Sequence, residues 1–268
     1  MERPRILMCR PDHYGIYYSI NPWMKKILRN EGNQKIRREA LGQWHNLKSV
    51  YEEEGFAVQP ISQVSGCPDM VFVANAGLVC GNIFVSSNFR YAERQPEESH
   101  FRKCFQGQGF QVKTVEGKFE GHGDALFHKG TLVCMIGFRS SDRGVRQAAE
   151  HVGKTPVVLK LVDERFYHGD TCFCPLDPIL FYPRAFDRPS RRKIERLGEA
   201  EALGEKDALA FVGNGTPLYR GTRQIYVGPM PSKNLRKKLE NRGISIREVS
   251  LPAFKKSGGG ARCLTLFL

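Results

Sequence analysis

The sequence predicts an α/β fold in which five strand–strand–helix–strand units close into a ring. Three observations indicate this architecture. Segments that open with a polar or reactive residue and continue as a strand recur at separations of 49, 46, 44 and 49 residues, close to a fixed period. Each of the first four is followed by a second strand and a helix. The strand, helix and strand that the last segment lacks are supplied by the N-terminus, and a closed ring leaves few exposed sheet edges.

The N-terminal segment begins with an apolar strand at residues 5–9. A helix is predicted for residues 33–54, because Ile36, Leu41, Trp44, Leu47 and Tyr51 recur at three-to-five-residue spacing. Gly55 suits the position just after a helix end. A second short strand is predicted at residues 57–61.

The repeated segments begin at Asn75, Asp124, Asp170, Asn214 and Cys263. Second strands are predicted at 83–85, 132–136, 179–182 and 225–227, helices at 97–105, 141–152, 189–197 and 232–241, and closing strands at 112–115, 157–161 and 244–249. Ser141 and Ser232 are candidate N-caps, and Gly153 and Gly243 stand at helix stops. No Pro/Gly/Ser linker interrupts the series, so residues 1–268 are predicted to form a single domain.

Composition and charge indicate which classes of partner and which compartment are expected for the chain. The chain is 41% apolar and carries a formal charge of +13, which raises nucleic acid as a partner. Lys and Arg, however, are mixed with Glu and Leu on predicted helices, so we expect a solvated basic surface and no nucleic-acid partner. No apolar run is long enough for a membrane span or a leader. The eight cysteines lie mostly in apolar strand-like runs, which favours reduced thiols and a cytoplasmic location.

Equivalent positions in a ring of repeats point toward one axis, so the five residues that open the segments should gather at one end of a central cavity. Arg90, Arg139 and Arg184 follow three of these positions by fifteen, fifteen and fourteen residues. This recurrence suggests a rim of arginines able to hold a carboxylate. The alternative is that each arginine caps a strand at the surface.

Cys263 follows three glycines, Gly258, Gly259 and Gly260, and is the candidate nucleophile, although most free cysteines are small buried apolar residues. Residues 119–124 and 166–173 each combine a histidine with carboxylates beside a predicted strand. Inward-facing carboxylates are costly to bury without a cation, and a guanidinium, planar with five donors, suits them well. His168 could exchange protons with a leaving amine and with water.

Two other kinds of site, a zinc site and a cysteine protease site, use some of the same residue types. Zinc could be held by a set drawn from Cys172, Cys174, His168, His122 and Glu120. That pattern is weak, because no second cysteine pair completes a tetrahedral site, and no metal is predicted. A cysteine protease is the other rival, but no protease signature surrounds Cys263.

The segments 21–24, 68–77, 119–124, 166–173 and 258–263 together resemble the guanidine-modifying (pentein) superfamily, which includes arginine deiminase, dimethylarginine dimethylaminohydrolase, the amidinotransferases and the arginine dihydrolases. The resemblance implies a five-bladed α/β propeller with pseudo-fivefold repeats and no cofactor. It implies that Cys263 attacks a guanidinium carbon to form a covalent thiouronium, and that His168 protonates the departing amine and then activates water. It implies that Glu120 and Asp170 bind the guanidinium and that Arg90 and Arg139 bind the α-carboxylate. The expected catalytic residues are therefore Cys263, His168 and Glu120, and the expected substrate-binding residues are Asn75, Asp170, Arg90, Arg139, Asn21 and Asp69.

One departure indicates the subfamily. Ala74 and Asn75 stand where the dimethylarginine enzymes typically have a Glu-Asp pair, and this is similar to the arginine dihydrolases, which convert arginine to ornithine, ammonia and carbon dioxide. A deiminase or a dimethylarginine dimethylaminohydrolase, both giving citrulline, is the alternative within the same chemistry. From another class, a catalytically silent basic module that binds RNA is the alternative. The expected partner is a small guanidine, and the formation of a homo-oligomer is left open.

Overall fold

A computed structural model of the chain describes residues 3–25 and 32–268. Met1 and Glu2, the start of the stretch considered for a leader, lie outside the described residues. In the described ranges the strands are β1 Arg5–Arg10, β2 Ala57–Ser62, β3 Gly77–Cys80, β4 Ile83–Ser86, β5 Gln111–Lys113, β6 Ala125–His128, β7 Thr131–Ile136, β8 Val157–Lys160, β9 Phe173–Cys174, β10 Ile179–Phe181, β11 Ala200–Ala202, β12 Thr216–Arg220, β13 Arg223–Gly228, β14 Ser245–Glu248 and β15 Leu266–Phe267. The α-helices are α1 Pro22–Lys25, α2 Asn33–Glu53, α3 Gln95–Gly107, α4 Asp142–His151, α5 Arg188–Leu197, α6 Glu205–Leu209, α7 Lys233–Asn241 and α8 Pro252–Lys255.

The strands of the described part form five three-stranded sheets with one shared pattern. In each sheet the central strand pairs antiparallel with the first strand and parallel with the third. The N-terminal strands complete the last unit, because β1 pairs with β15 on one side and with β2 on the other. The predicted fold class, a five-bladed α/β propeller closed by its two termini, is therefore confirmed.

Capping and packing account for the helices. Ser141 caps α4 by accepting a hydrogen bond from Gly144 N, as predicted. Ser232 occupies the N-cap position of α7, as predicted, but its side chain makes no capping hydrogen bond, because its hydroxyl donates to Asp207 Oδ2 over 2.7 Å. Gly153 and Gly243 end their helices with φ of 63° and 75°, values that glycine adopts without steric cost.

The polar residues that open the repeats do not start strands, which corrects the prediction for these segments. Short 3-10 turns precede four of the inner strands, at Val73–Ala76, Gly121–Gly123, Gly169–Thr171 and Val212–Asn214. Cys263 likewise lies in a turn, at 261–264, and β15 begins only at Leu266. The turns bring Asp170 and Asn214 within hydrogen-bond distance of Cys263.

Hydrogen bonds between these turns hold the ring together at one end. Ala74 N donates to Cys263 O over 3.1 Å, and Arg262 N donates to Asn214 O over 3.0 Å. Asn214 Nδ2 donates to Asp170 O over 2.7 Å. The last turn is thereby joined to the first and to the fourth. No helix in the described ranges is both long and apolar enough to cross a membrane.

Candidate active site

The glycine stretch before Cys263 allows three close approaches. Gly258 has φ of +79°, and a side chain at Gly259 or Gly260 would collide with Phe72 or with Asn214 Oδ1. Atoms this close exclude a Cβ, so only glycine lets the chain pass between its neighbours. The stretch thereby brings Cys263 to the ring axis.

Cys263 is buried between an acceptor and a donor. Its Sγ lies 3.2 Å from Asp170 Oδ2 and 3.1 Å from Asn214 Nδ2. Burial, followed by the charge of Asp170, raises the pKa of the thiol well above its ordinary value. Burial also raises the pKa of Asp170 to about 7. The free protein therefore holds a neutral thiol that donates to Asp170, with the Asn214 amide ready to donate to a thiolate.

His168 is held by Glu120 on the next wall of the site. His168 Nε2 lies 2.7 Å from Glu120 Oε2, and Arg139 Nη1 donates to the same oxygen over 3.1 Å. The other oxygen, Oε1, accepts the backbone N–H of Arg90. Although burial favours the neutral carboxyl, Arg139 and His168 outweigh it and hold the pKa of Glu120 well below its usual range. Both oxygens of Glu120 are engaged, which suits orienting His168 better than contacting a substrate.

Asn75 is fixed by an arginine that sequence reasoning missed. Arg94 Nη1 donates to Asn75 Oδ1 over 2.8 Å, while the Arg94 Nε and Nη2 atoms pair with both oxygens of Glu97. Because its oxygen accepts from Arg94, the amide must turn its Nδ2 away from Arg94. A Cβ built on Gly123 would stand 2.2 Å from that Nδ2, so glycine there leaves the room that the amide occupies.

The predicted role of Arg90 needs correction. Its side chain is exposed and its Nε donates to the backbone oxygen of Arg139, so the structure does not bring it into the cavity. Arg184 is also exposed, with 75% of its side chain accessible. Arg139, by contrast, is buried and stacked between Tyr91 and Tyr167, with ring centroids 4.6 and 4.5 Å from its Cζ. Arg94, four residues after Arg90, supplies the second buried guanidinium.

Asn21 and Asp69 are both buried at the cavity, as proposed from the motifs. Asn21 Oδ1 accepts from the backbone N–H groups of Trp23 and Met24, and its Nδ2 donates to Ser257 O. Asn21 therefore holds the 21–25 segment over the site. Asp69 Oδ2 accepts from the Tyr18 hydroxyl over 2.9 Å, and burial raises its pKa.

A small cavity lies between Cys263, Asn75, Arg94 and Arg139, and its lining does not include His168 or Glu120. The residues that line it are Ile20, Asn21, Met24, Asp69, Phe72, Asn75, Arg94, Arg139, Tyr167, Ser257, Gly259 and Cys263. An outer cavity of about 320 Å³ shares Ile20, Asn21, Arg139 and Tyr167 with it. These four residues thus form the wall between the outer cavity and the cavity at Cys263.

Three buried polar atoms of the site have no hydrogen-bond partner within the described chain. They are Asp69 Oδ1, Asp170 Oδ1 and Asn75 Nδ2. Buried polar atoms are nearly always paired, so each unpaired one calls for an explanation. Two acceptors and one donor of this kind, together with Arg94 and Arg139, match a ligand that has cationic N–H groups at one end and a carboxylate at the other.

The thiols considered for a metal site bind backbone carbonyls instead. Cys172 Sγ lies 3.6 Å from Gly169 O, and Cys174 Sγ lies 3.2 Å from Gly215 O. In the part of the chain that the structure describes, no cluster of three or more His, Cys, Asp or Glu side chains is arranged to hold a metal ion. His122, the other histidine of that set, lies on the far side of the ring axis.

Comparison with known proteins places this site in a family. A family model described as N,N dimethylarginine dimethylhydrolase, eukaryotic, matches residues 10–268. The chain is 41% identical over 271 residues to the bifunctional arginine dihydrolase/ornithine cyclodeaminase ArgZ of Synechocystis sp., which covers 98% of this chain and 37% of that protein. It is 31% identical to the N(G),N(G)-dimethylarginine dimethylaminohydrolase of Mycobacterium tuberculosis, covering 98% of this chain and 85% of that protein. The chain thus spans little more than a third of the bifunctional relative.

Solved structures agree with these matches. The N-terminal domain of ArgZ, in a mutant bound to substrate, aligns with a TM-score of 0.91 at 40% identity and covers 98% of this chain and 97% of that one. A dimethylarginine dimethylaminohydrolase adduct aligns with a TM-score of 0.78 at 17% identity, which shows the shared fold alone. The resemblance seen in the motifs is confirmed, and the chain belongs to the dimethylarginine dimethylaminohydrolase family of the guanidine-modifying superfamily.

Proposed function

We propose that this protein is a cysteine-dependent hydrolase of free L-arginine that releases both guanidine nitrogens as ammonia and leaves ornithine and carbon dioxide. The observation that carries the proposal is the set of unpaired buried atoms around Cys263: two carboxylate oxygens, Asp69 Oδ1 and Asp170 Oδ1, and the amide Nδ2 of Asn75. The carboxylates suit a guanidinium, and the amide suits an oxygen that appears during the reaction.

The proposed pose uses charge complementarity. The guanidinium lies against Asp170, which places its carbon beside Cys263 Sγ. Asp69 accepts from the N–H groups of the substrate, and the α-carboxylate faces the buried guanidinium groups of Arg94 and Arg139. Charge-assisted hydrogen bonds are roughly twice as strong as neutral ones, so a zwitterion with a cationic tail is bound at both ends. Arg94 takes the role that sequence reasoning gave to Arg90.

The first half of the reaction follows from the pKa values. The bound guanidinium brings a positive charge beside Cys263 and Asp170, which favours transfer of the thiol proton, through solvent, to His168. The thiolate attacks the guanidinium carbon, and His168 donates a proton to the departing nitrogen as the C–N bond breaks. Ammonia leaves, and the carbon stays on sulfur as a thiouronium. Glu120 stabilises the charged form of His168 while the proton is held.

The second half of the reaction determines whether the product is citrulline or ornithine. Water adds to the thiouronium carbon as His168 accepts its proton. If the resulting tetrahedral species expels sulfur, citrulline is released. If it expels the second nitrogen as ammonia, a neutral thiocarbamate remains on Cys263. A second water then releases the thiolate and a carbamate, which separates into ornithine and carbon dioxide, so one arginine and two waters give one ornithine, two ammonias and one carbon dioxide.

The Asn75 amide favours the second route. Arg94 occupies its oxygen, so its Nδ2 can donate to the carbonyl oxygen of the thiocarbamate and hold that species for the second water. An aspartate at this position would repel the same oxygen. The match at 40% identity to a domain named as an arginine dihydrolase supports this choice.

The second candidate function is hydrolysis of methylated arginine to citrulline. The family match and the Mycobacterium tuberculosis relative favour it. A silent binding module is disfavoured, because the buried thiol of Cys263 is held between Asp170 and Asn214 and because His168 is held by Glu120. Our proposal includes a small guanidine as the only partner and a cytoplasmic setting, which the reduced, buried thiols support. Whether copies of the chain associate is left open.

Product analysis tests the proposal. The protein is incubated with arginine, Nω-methylarginines, citrulline and agmatine, and ornithine, citrulline, ammonia and amines are quantified by mass spectrometry. We expect two ammonias and one ornithine per arginine, with free citrulline left unconverted. Citrulline as the main product from arginine would assign a deiminase, and methylamine release from methylated arginine in preference would assign the second candidate.

A further inference from the structure

A second cavity, of about 330 Å³, lies on the ring axis at the end away from Cys263. All five inner strands contribute to its wall, through β3, β6, β12, β15 and the residue that follows β9. The side chains that line it are Pro4, Phe56, Val79, His122, Phe127, Pro175, Pro217, Tyr219, Arg262 and Phe267. This volume is within the range of small-molecule sites.

Arg262 is the one charged residue in that lining. It is 4% exposed, and its Nε and Nη1 atoms have no hydrogen-bond partner within the described chain. Its Nη2 lies 3.4 Å from His122 Nδ1, and its Cζ lies 5.2 Å from the ring centroid of Phe267. Burial lowers the pKa of Arg262 from its ordinary value, although the charge of Asp170, outside the cavity lining, opposes this, and burial lowers the pKa of His122 to about 3. His122 is thus neutral, and a guanidinium pKa remains far above neutral pH.

The charge and the apolar lining of the cavity indicate which class of ligand suits it. A buried cation with unpaired donors is unfavourable until an anion satisfies it. The rest of the wall is aromatic, prolyl and aliphatic, with no acidic residue, so it suits an apolar body better than a small hydrated ion. One guanidinium also matches one carboxylate better than a phosphate dianion, which needs more donors.

We propose that this axial cavity is a binding site for a small organic carboxylate, with its carboxylate on Arg262 and its apolar body against Phe127, Tyr219 and Phe267. The site is separate from the cavity at Cys263 and does not depend on the proposed reaction. Its position still matters for that reaction, because Arg262 directly precedes Cys263 in the chain and its backbone N–H bonds Asn214 O.

Titration calorimetry with benzoate tests the site. Tyr219 is 47% exposed at the cavity wall, so Tyr219→Glu adds an anion there without disturbing the core. We expect it to weaken benzoate binding at least about tenfold, a change of 1.4 kcal/mol. Val162→Glu, at a 50% exposed position outside the cavity, is the matched control and should bind benzoate like the parent. Arg262→Met should also lose binding, with thermal unfolding used to check that it is folded.

The same experiment can overturn the proposal. Absence of benzoate binding to the parent, or equal binding by Tyr219→Glu, would refute the site. Displacement of benzoate by arginine from the Cys263→Ala protein would place benzoate in the other cavity. Displacement by inorganic phosphate would contradict the assignment to carboxylates. Arginine turnover is not among these readouts, so failure of the proposed function leaves this test intact.

Discussion

Cys263 donates a hydrogen bond to Asp170: Sγ lies 3.2 Å from Oδ2, and both side chains are buried. Burial raises the pKa of Asp170 to about 7, and burial with the Asp170 charge raises that of Cys263. A thiolate forms readily only when a cation reaches the pair. We therefore expect Cys263, the proposed nucleophile, to stay unreactive until a guanidinium is bound.

Alkylation kinetics should reveal this coupling. We expect Cys263 to react slowly with iodoacetamide at pH 7 and faster as the pH rises beyond 9. Asp170→Asn removes the nearby charge and should speed alkylation at pH 8 by about tenfold for each unit by which the thiol pKa falls. Cys104, which is partly exposed, serves as the internal control and should react equally in both proteins. Unchanged or slower alkylation of Cys263 in the variant would refute the coupling.

The raised pKa of Asp170 also has a consequence for stability. Its folded-state pKa of about 7 lies above the unfolded value of roughly 3.9. The stability that the neutral carboxyl contributes is therefore fully present below about pH 4 and is lost as the pH rises through 7. Asp170→Asn keeps a neutral group at all pH values. Relative to the parent, it should gain free energy of unfolding between pH 4 and 8, on the order of a few kcal/mol. Urea unfolding at both pH values checks this, and a difference independent of pH would contradict it.

Cys263→Ala should abolish turnover and leave the fold intact. No other thiol of the described chain is placed between Asp170 and Asn214, so the covalent step has no substitute. Residual turnover within about tenfold of the parent, or 1.4 kcal/mol of barrier, would disprove the nucleophile assignment. Cys104→Ser is the control and should retain full activity, and circular dichroism compares the folds.

Arg94 and Arg90 should differ sharply in substrate binding. Arg94→Lys keeps a charge but loses the planar fork that spans Asn75 and Glu97, so KM for arginine should rise by roughly tenfold or more. Arg90→Lys, at an exposed position, should change KM by less than about twofold. Steady-state kinetics of both variants measure these changes in KM for arginine. The opposite ranking would restore Arg90 as the carboxylate ligand. Agmatine, which lacks the carboxylate, should be a poor substrate for the parent.

Asn75→Asp should shift the product from ornithine toward citrulline. The carboxylate would still pair with Arg94, so the fold and arginine binding should persist. It would lack the N–H that holds the thiocarbamate oxygen, so the tetrahedral species should expel sulfur more often. Ammonia, citrulline and ornithine are followed together in parent and variant. An unchanged ratio of products would show that Asn75 does not control how far the reaction runs.

The repeat made the ring predictable, because period and strand pattern recur in every unit and the termini complement each other. The period of the repeat did not indicate the 3-10 turns. A turn of three or four residues carries no repeat of its own, so Asp170 and Cys263 looked like the first residues of strands. β11 and α6 were missed for the same reason, since each is short and only weakly apolar on one face.

The difference between the predicted position of Arg90 and the buried position of Arg94 has a physical origin. A fixed offset from the repeat assumes that the loop after each second strand has one shape. In the first unit, which opens at Asn75, the chain continues through a turn at residues 91–94 before α3, and this carries the inward position from Arg90 to Arg94. The available signal was the i,i+3 spacing of Arg94 and Glu97 at the helix start, which is where the structure has a buried ion pair.

The last strand of the ring pairs with the first, Ile6 opposite Phe267 and Leu7 opposite Leu266. These contacts join residues more than two hundred and fifty positions apart, and they position the turn that carries Cys263. Assembly of the nucleophile is therefore coupled to the slowest kind of contact to form, the one between the ends of the chain. A molecule in which β1 and β15 had not yet paired would contain four folded units, and Cys263 would not yet be in position. Activity would therefore indicate that folding is complete.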